Sequence, residues 1–406
     1  MVSVFHPTGI VNGAVLLPSS KSISNRVLII EAISGLDFLI NDLSDSSDTQ
    51  TLFNLLSIKN NQYDCGEGGT TFRFLLAYLA MKGEGCIITG SDRMQQRPVK
   101  PLVEALNSLG ADIQYLRNDG FPPLKINPAS LSGNEVTIDA SVSSQFISAL
   151  MMIAPSLPEG LKINLRGEIV SQSYILLTKQ IMEYFGVSVT ASADTICIPH
   201  EQYIKRDIII EKDWSAASYW FEIAALSKET DLLLEGLKLE SMQGDRIIVD
   251  LMKDFAVEVK QESNGIRIAK NINTVIPKNF EFNFINHPDL VLTMAFLCAA
   301  KKIDGKFDGI QTLKIKETDR VEALNKIVEK FESNLTAIGN TFALTSGNSH
   351  HTVIGELQVF NDHRMAMSIA PLSLVVGKLF IEDPDVVNKS YPGFWDQLMN
   401  VGFKVE

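Results

Sequence analysis

Along the chain, one pattern of apolar and polar positions recurs. A stretch with apolar residues every three or four positions ends in a bulky apolar residue. A small residue usually follows, and then apolar and polar positions alternate. The pattern occurs as Leu55-Leu56-Ser57-Ile58, Leu109-Gly110-Ala111-Asp112-Ile113 and Phe185-Gly186-Val187-Ser188-Val189. It returns as Phe255-Ala256-Val257-Glu258-Val259, Phe331-Glu332-Ser333-Asn334-Leu335 and Val401-Gly402-Phe403-Lys404-Val405. A period near 3.6 giving way to a period of two predicts a helix, a glycine-type cap in the clearest copies, and then a β-strand. The copies start at 55, 109, 185, 255, 331 and 401, so the intervals are 54, 76, 70, 76 and 70 residues. Units of that length are too long for a solenoid repeat and too irregular for a doubly wound sheet. The short first interval predicts that one unit lacks a hairpin. The expected architecture is α/β (α+β), with two lobes of three similar helix-and-sheet units and a boundary near Glu211-Lys212-Asp213.

Composition narrows the class without naming a function. The 406 residues are 45% hydrophobic and 21% charged, enough for a large core and a prior of two or three domains. Lys plus Arg number 36 against 48 Asp plus Glu, a net charge of −12, which argues against a nucleic-acid or anionic-membrane surface. Cys65, Cys86, Cys197 and Cys298 form no CxxC, and the six histidines, His350-His351 included, form no HExxH or HxH, so no metal site is expected. The first residues lack a signal-peptide pattern, and the longest apolar stretches, such as residues 290–300, fall short of the roughly 18 residues of a membrane span. A cytoplasmic, monomeric protein is expected.

The chemistry is written at the predicted helix starts. Lys21-Ser22-Ile23-Ser24-Asn25-Arg26, Gly68-Gly69-Thr70-Thr71-Phe72-Arg73, Ser143-Ser144-Gln145, Pro288-Asp289, Lys316-Glu317-Thr318-Asp319-Arg320 and Asn361-Asp362-His363-Arg364 each stand directly before an apolar helical pattern. Ser, Thr, Asp and Asn there are explained by capping alone. Cations are not, because a positive charge at a helix start opposes the macrodipole. Lys21, Arg26, Arg73, Lys316, Arg320 and Arg364 make sense if anions sit where free backbone N–H groups and guanidinium groups converge. Repeated in an acidic chain, this predicts a small substrate, or substrates, with several phosphate or carboxylate groups. Asp289 and Glu317 are the candidate acid–base residues; the alternative for Glu317 is a surface ion pair of small value.

Taken together and in this order, Ser-Lys-Ser-Ile-Ser-Asn-Arg at 20–26, Val-Ser-Ser-Gln-Phe at 142–146, Lys-Glu-Thr-Asp-Arg at 316–320 and Asn-Asp-His-Arg-Met-Ala-Met at 361–367 resemble the 5-enolpyruvylshikimate-3-phosphate (EPSP) synthase family. The likeness runs from Leu17 to Pro392. It implies the two-lobed enolpyruvyl transferase fold, an inside-out α/β barrel of six repeats, with residues 19–211 as one lobe and 1–18 plus 212–406 as the other. It also implies transfer of the enolpyruvyl group of phosphoenolpyruvate to the 5-hydroxyl of shikimate 3-phosphate, without metal or cofactor. By motif, Lys21, Ser22, Arg26, Ser143, Ser144, Gln145, Ser171, Tyr174, Asp289 and Lys316 would hold shikimate 3-phosphate. Lys21, Gly69, Arg97, Gln145, Arg320, Arg364 and Lys389 would hold phosphoenolpyruvate. Asp289 would take the 5-hydroxyl proton, and Glu317 would protonate the methylene carbon and later remove that proton, with Lys21 in the catalytic set. Arginine suits such anions because its planar fork grips carboxylate and phosphate with two bonds.

The chain departs from the family at Glu67-Gly68-Gly69, where Asn-Ala-Gly or Asn-Ser-Gly is usual. Gly69 itself is retained, which implies sensitivity to glyphosate, an inhibitor that competes with phosphoenolpyruvate in this family. Two other readings stay open on sequence: the sister transferase that acts on UDP-N-acetylglucosamine, and a non-catalytic anion-binding scaffold of the same fold. Lys21-Ser22 and a loop without cysteine at residues 91–98 count against the first. Lys21, Asp289, Glu317 and Lys389 together count against the second.

Overall fold

The computed structural model describes residues 1–347 and 356–406, so the His350-His351 pair lies outside the described residues. Contacts divide the chain into two compact units, residues 20–210 and residues 1–19 with 211–406.

In the unit formed by residues 20–210, the helices are α1 Lys21–Ser34, α2 Ser47–Leu56, α3 Gly69–Lys82, α4 Lys100–Ser108, α5 Ser144–Ile153 and α6 Gln172–Tyr184. One sheet has the order Gln62–Asp64, Cys86–Thr89, Leu124–Asn127, Asp112–Tyr115. A second has the order Glu135–Asp139, Leu161–Arg166, Thr195–Ile198, Thr190–Ala191. In each, the first two strands are parallel and the rest antiparallel. Strand alternation does the packing: in Glu135–Asp139, Val136 and Ile138 turn inward while Glu135, Thr137 and Asp139 face water. The third sheet is only a parallel pair, Ile40–Asn41 with Ile208–Ile209. This is the unit without its hairpin. Ile58 accordingly starts no strand. Helix α2 ends at Leu56, Ser57 keeps helical angles, and the next strand, Gln62–Asp64, belongs to the neighbouring sheet.

The other unit contains α7 Trp214–Leu226, α8 Ile248–Leu251, α9 Val291–Lys301, α10 Arg320–Val328, α11 His363–Ile369, α12 Ser373–Val376 and α13 Phe394–Asn400. Its three sheets repeat the same four-strand order. They are Ile10–Leu16, Glu229–Glu235, Gly265–Lys270, Val257–Glu262; then Asn279–Asn283, Asp304–Asp308, Thr341–Thr345, Asn334–Ile338; then Glu356–Leu357, Leu379–Ile381, Val2–Phe5, Lys404–Val405. The last is completed by both ends of the chain.

Within each unit, three helices pack on one another and are apolar nearly all round. These are α1, α3 and α5 in one unit and α7, α9 and α11 in the other. A helix without a polar face is a core helix, and the sheets cover it. Each fully buried Leu, Ile or Phe on these helices contributes about 1.5–3 kcal/mol. The candidate site draws on polar side chains in the first two turns of these helices, while others, such as Ser148 of α5 and Glu222 of α7, lie further along.

Candidate active site

In residues 20–210 the site is built from helix starts. Ser20 caps α1, its hydroxyl accepting from the Ile23 N–H, and so fixes Lys21 and Ser22 in the first turn. The Lys21 ammonium lies 2.9 Å from Asp48 Oδ2, on α2. Ser143 caps α5 by accepting from the Gln145 N–H, and the Gln145 amide donates to Thr70 Oγ1 in the first turn of α3 at 2.9 Å. Gly69 opens α3 against two guanidinium groups. A Cβ there would stand 2.6 Å from an Arg97 nitrogen and 2.8 Å from one of Arg73. Any side chain here would crowd these guanidinium groups, and the backbone angle itself does not call for glycine.

Arg26 is buried, its pKa pulled down to about 10 by loss of water, which leaves it charged at neutral pH. Its Nε donates to Thr178 Oγ1 at 2.7 Å, Nη1 to the Ser22 carbonyl at 2.8 Å, and Nη2 to Ser148 Oγ and the Tyr174 carbonyl at 3.2 Å each. All four acceptors are neutral, and the guanidinium lies over the Phe74 and Tyr174 rings. A buried charge held only by dipoles and ring faces draws an anion toward the helix starts around it. Ser171, adopting a left-handed backbone, precedes α6, which carries Tyr174. Arg73, grouped above with the anion-seeking cations, also braces backbone: its donors reach the carbonyls of Gly69 and Pro98.

In residues 211–406 the site is a network of buried and partly buried ions. Asp289 sits in the short turn Pro288–Leu290 that leads into α9. Its Oδ1 is 3.3 Å from Arg320 and 3.8 Å from Lys316, and its Oδ2 is 2.8 Å from Arg364. Asp319 caps α10 and sets Arg320 as the first helical residue. Arg320, 1% exposed, grips Asp362 with Nε at 2.7 Å and Nη2 at 3.2 Å, and Nη2 also reaches Glu317 at 3.1 Å. Burial alone would lower its pKa, but Asp362, Glu317 and Asp289 outweigh that and hold it above the usual arginine value. Lys389 lies 3.7 Å from the other Glu317 oxygen. Asp362 caps α11 through the Arg364 N–H, and Arg364 Nη1 donates to Tyr219 on α7 at 3.2 Å. Glu317 is no surface ion pair. Three carboxylates and four cations are thus interlocked.

Of the sequence-predicted residues, Lys21, Ser22 and Arg26 share α1, Gly69 and Arg97 are adjacent, and Gln145 joins the start of α3. Asp289, Lys316, Glu317, Arg320, Arg364 and Lys389 form one cluster. Sequence reasoning gave no site role to Asp48, Thr70, Tyr219 or Asp362. Asp48 and Asp362 read as ordinary first-turn or cap acids, and Tyr219 sits inside an apolar helical run. Only the third dimension supplies their partners.

Five four-stranded units of one strand order and a sixth that lacks its hairpin, in two sets of three, with cations and acids at the starts of the core helices, fit the class of two-unit enolpyruvyl transferases. Solved structures share the fold: EPSP synthase from Acinetobacter baumannii aligns with a TM-score of 0.77 at 17% identity, covering 100% of this chain and 99% of that one. The enolpyruvyl transferase NikO from Streptomyces tendae aligns at 0.72 with 12% identity, covering 100% and 98%. The family model for EPSP synthase (3-phosphoshikimate 1-carboxyvinyltransferase) matches residues 53–398. A 3-phosphoshikimate 1-carboxyvinyltransferase of Bacteroides fragilis is 42% identical over 98% of this chain and 97% of its own length. Another, from Colwellia psychrerythraea, is 32% identical over 98% of each. The chain belongs to the EPSP synthase family.

Proposed function

We propose that this chain transfers the enolpyruvyl group of phosphoenolpyruvate to the 5-hydroxyl of shikimate 3-phosphate, releasing phosphate. Family membership supports the reaction. The observation that carries the residue roles is Asp289 held among Lys316, Arg320 and Arg364. Three cations around one carboxylate favour its ionised form, which a base must have.

In this reading Lys21, Ser22, Arg26, Ser143, Ser144, Gln145, Ser171, Tyr174 and Lys316 hold shikimate 3-phosphate, and Lys21, Gly69, Arg97, Gln145, Arg320, Arg364 and Lys389 hold phosphoenolpyruvate. Asp289 takes the 5-hydroxyl proton as the oxygen attacks C2 of phosphoenolpyruvate. Glu317 delivers a proton to C3, giving a tetrahedral intermediate. Glu317 then removes a proton from that methyl group, the C2–O bond to phosphate breaks with the proton held by Asp289 passing to the departing phosphate, and the enol ether forms. The fixed cations stabilise charge as it moves onto the phosphate and need no reorganisation to do so.

Purified protein given both substrates should release phosphate and form the enol ether, and with either one alone it should do neither. Phosphate release with UDP-N-acetylglucosamine in place of shikimate 3-phosphate would overturn the assignment. The absence of any turnover would favour a binding scaffold.

A further inference from the structure

Two of the anchors of Arg364 differ in character. Nη2 is ion-paired to Asp289 Oδ2 at 2.8 Å, and Nη1 donates to the phenol oxygen of Tyr219 at 3.2 Å. The first anchor changes during the proposed reaction. Once Asp289 has accepted the 5-hydroxyl proton it is neutral, and its hold on the guanidinium falls from an ion pair to a hydrogen bond between a cation and a neutral acid, which lacks the attraction between two full opposite charges.

The second anchor does not change. Tyr219 is 1% exposed, and burial pushes its phenol far above the ordinary tyrosine value, with Arg364 opposing only in part, so it stays neutral at working pH. Its ring is also fixed. It meets Phe394 of α13 edge to face, with centroids 6.1 Å apart, and lies on a helix whose residues are nearly all buried. The phenol oxygen therefore cannot follow a guanidinium that drifts.

We infer that Tyr219 is a positioning residue, holding the Arg364 guanidinium in place during the part of the cycle in which Asp289 carries the proton. The inference rests on the proton transfer to Asp289 proposed above. An interaction that matters only as Asp289 becomes neutral contributes to the transition state and intermediate, not to substrate binding.

Tyr219→Phe removes one oxygen and keeps the ring packing. In single-turnover experiments, where product release does not mask chemistry, its rate should fall about tenfold. The KM values for both substrates should stay within about twofold of the wild type, and the melting temperature should be unchanged. In an Arg364→Lys background the same substitution should have no further effect, because the fork that Tyr219 holds is gone. A wild-type rate for Tyr219→Phe would overturn the inference. So would a raised KM for phosphoenolpyruvate with an unchanged rate, or a loss that adds fully to that of Arg364→Lys. If the variant folds poorly, the cycle in the Arg364→Lys background decides, since a structural role would cost the same in both. Wild-type protein that releases no phosphate from the two substrates fails the functional reading itself. Wild-type activity with an unaffected variant fails only the role of Tyr219.

Discussion

A methyl group at position 69 would stand 2.6 Å from an Arg97 nitrogen and 2.8 Å from one of Arg73. Both atoms end flexible side chains, so the fold can yield, but Arg97 moves when it does. Gly69→Ala is therefore expected to leave the melting temperature within about 2 °C and to raise KM for phosphoenolpyruvate tenfold or more, as one displaced charge-assisted bond implies. An unchanged KM would remove Arg97 from the site. Glu222 on α7 makes a different kind of prediction. It is fully buried, neither oxygen has a hydrogen-bond partner among the described residues, and burial raises its pKa well above 4.5. The folded state holds this proton more tightly than the unfolded state, so stability is lost as pH climbs from about 4.5 toward the folded value. Glu222→Met should be more stable than the wild type by about 1–3 kcal/mol at pH 8, and the gap should close toward pH 4.5. Urea midpoints at the two pH values check this, and a gap independent of pH would mean that Glu222 is satisfied in the fold.

At the scale of elements, the recurring pattern gains a backbone explanation. Five of its six copies lead into an edge strand of a four-stranded sheet, and in all five the residue after the helix has positive φ: Gly110, Gly186, Ala256, Glu332 and Gly402. The turn from helix to edge strand demands the left-handed conformation whatever residue the sequence supplies, at a cost of roughly 1–2 kcal/mol for a side chain with a Cβ. Glu332→Gly relieves that cost and gives back part of it as chain entropy. A net gain of about 0.5–1 kcal/mol is expected. Thermal unfolding should show it as a rise of about 1–4 °C, and a fall would mean that the Glu332 side chain contributes contacts worth more than the strain. The remaining copy, at Leu55, has no left-handed residue directly after its helix, and it leads to Gln62–Asp64, the parallel edge strand of the neighbouring sheet, so the antiparallel hairpin strand is missing and its interval is short.

At the scale of the molecule, the two ends of the chain do the work that a hairpin does elsewhere. Val2–Phe5 pairs antiparallel with Lys404–Val405, with Ser3 N–H donating to the Glu406 carbonyl at 2.7 Å and Glu406 N–H to the Ser3 carbonyl at 3.0 Å. The corresponding strands Val257–Glu262 and Gly265–Lys270 are joined by a two-residue turn, Ser263-Asn264. A circular permutant joining residues 406 and 1 through a short Gly-rich turn and opened between Ser263 and Asn264 should fold and turn over at a rate of the same order as the wild type, because the cut falls in an exposed turn. Loss of the circular dichroism spectrum would show that the order of synthesis along the chain matters as well as its connectivity.

Local chemistry is what this sequence determines by itself. Helix starts are read from cap residues, helix ends from the change of period, the missing hairpin from one short interval, and the anion-seeking character from cations where the macrodipole opposes them. All of these are interactions within a few residues, and so are visible in one dimension. The fate of each cation depends also on contacts between segments more than 20 residues apart. Arg73 and Arg97 both crowd Gly69, and Arg73 also donates to the backbone carbonyls of Gly69 and Pro98. Arg320 meets Asp362, 42 residues on, and Arg364 meets Tyr219, 145 residues back. Tyr219 looks like any aromatic residue in an apolar helix, and Asp362 like any helix cap. Which of them holds an arginine depends on which core helices lie side by side, and only packing decides that.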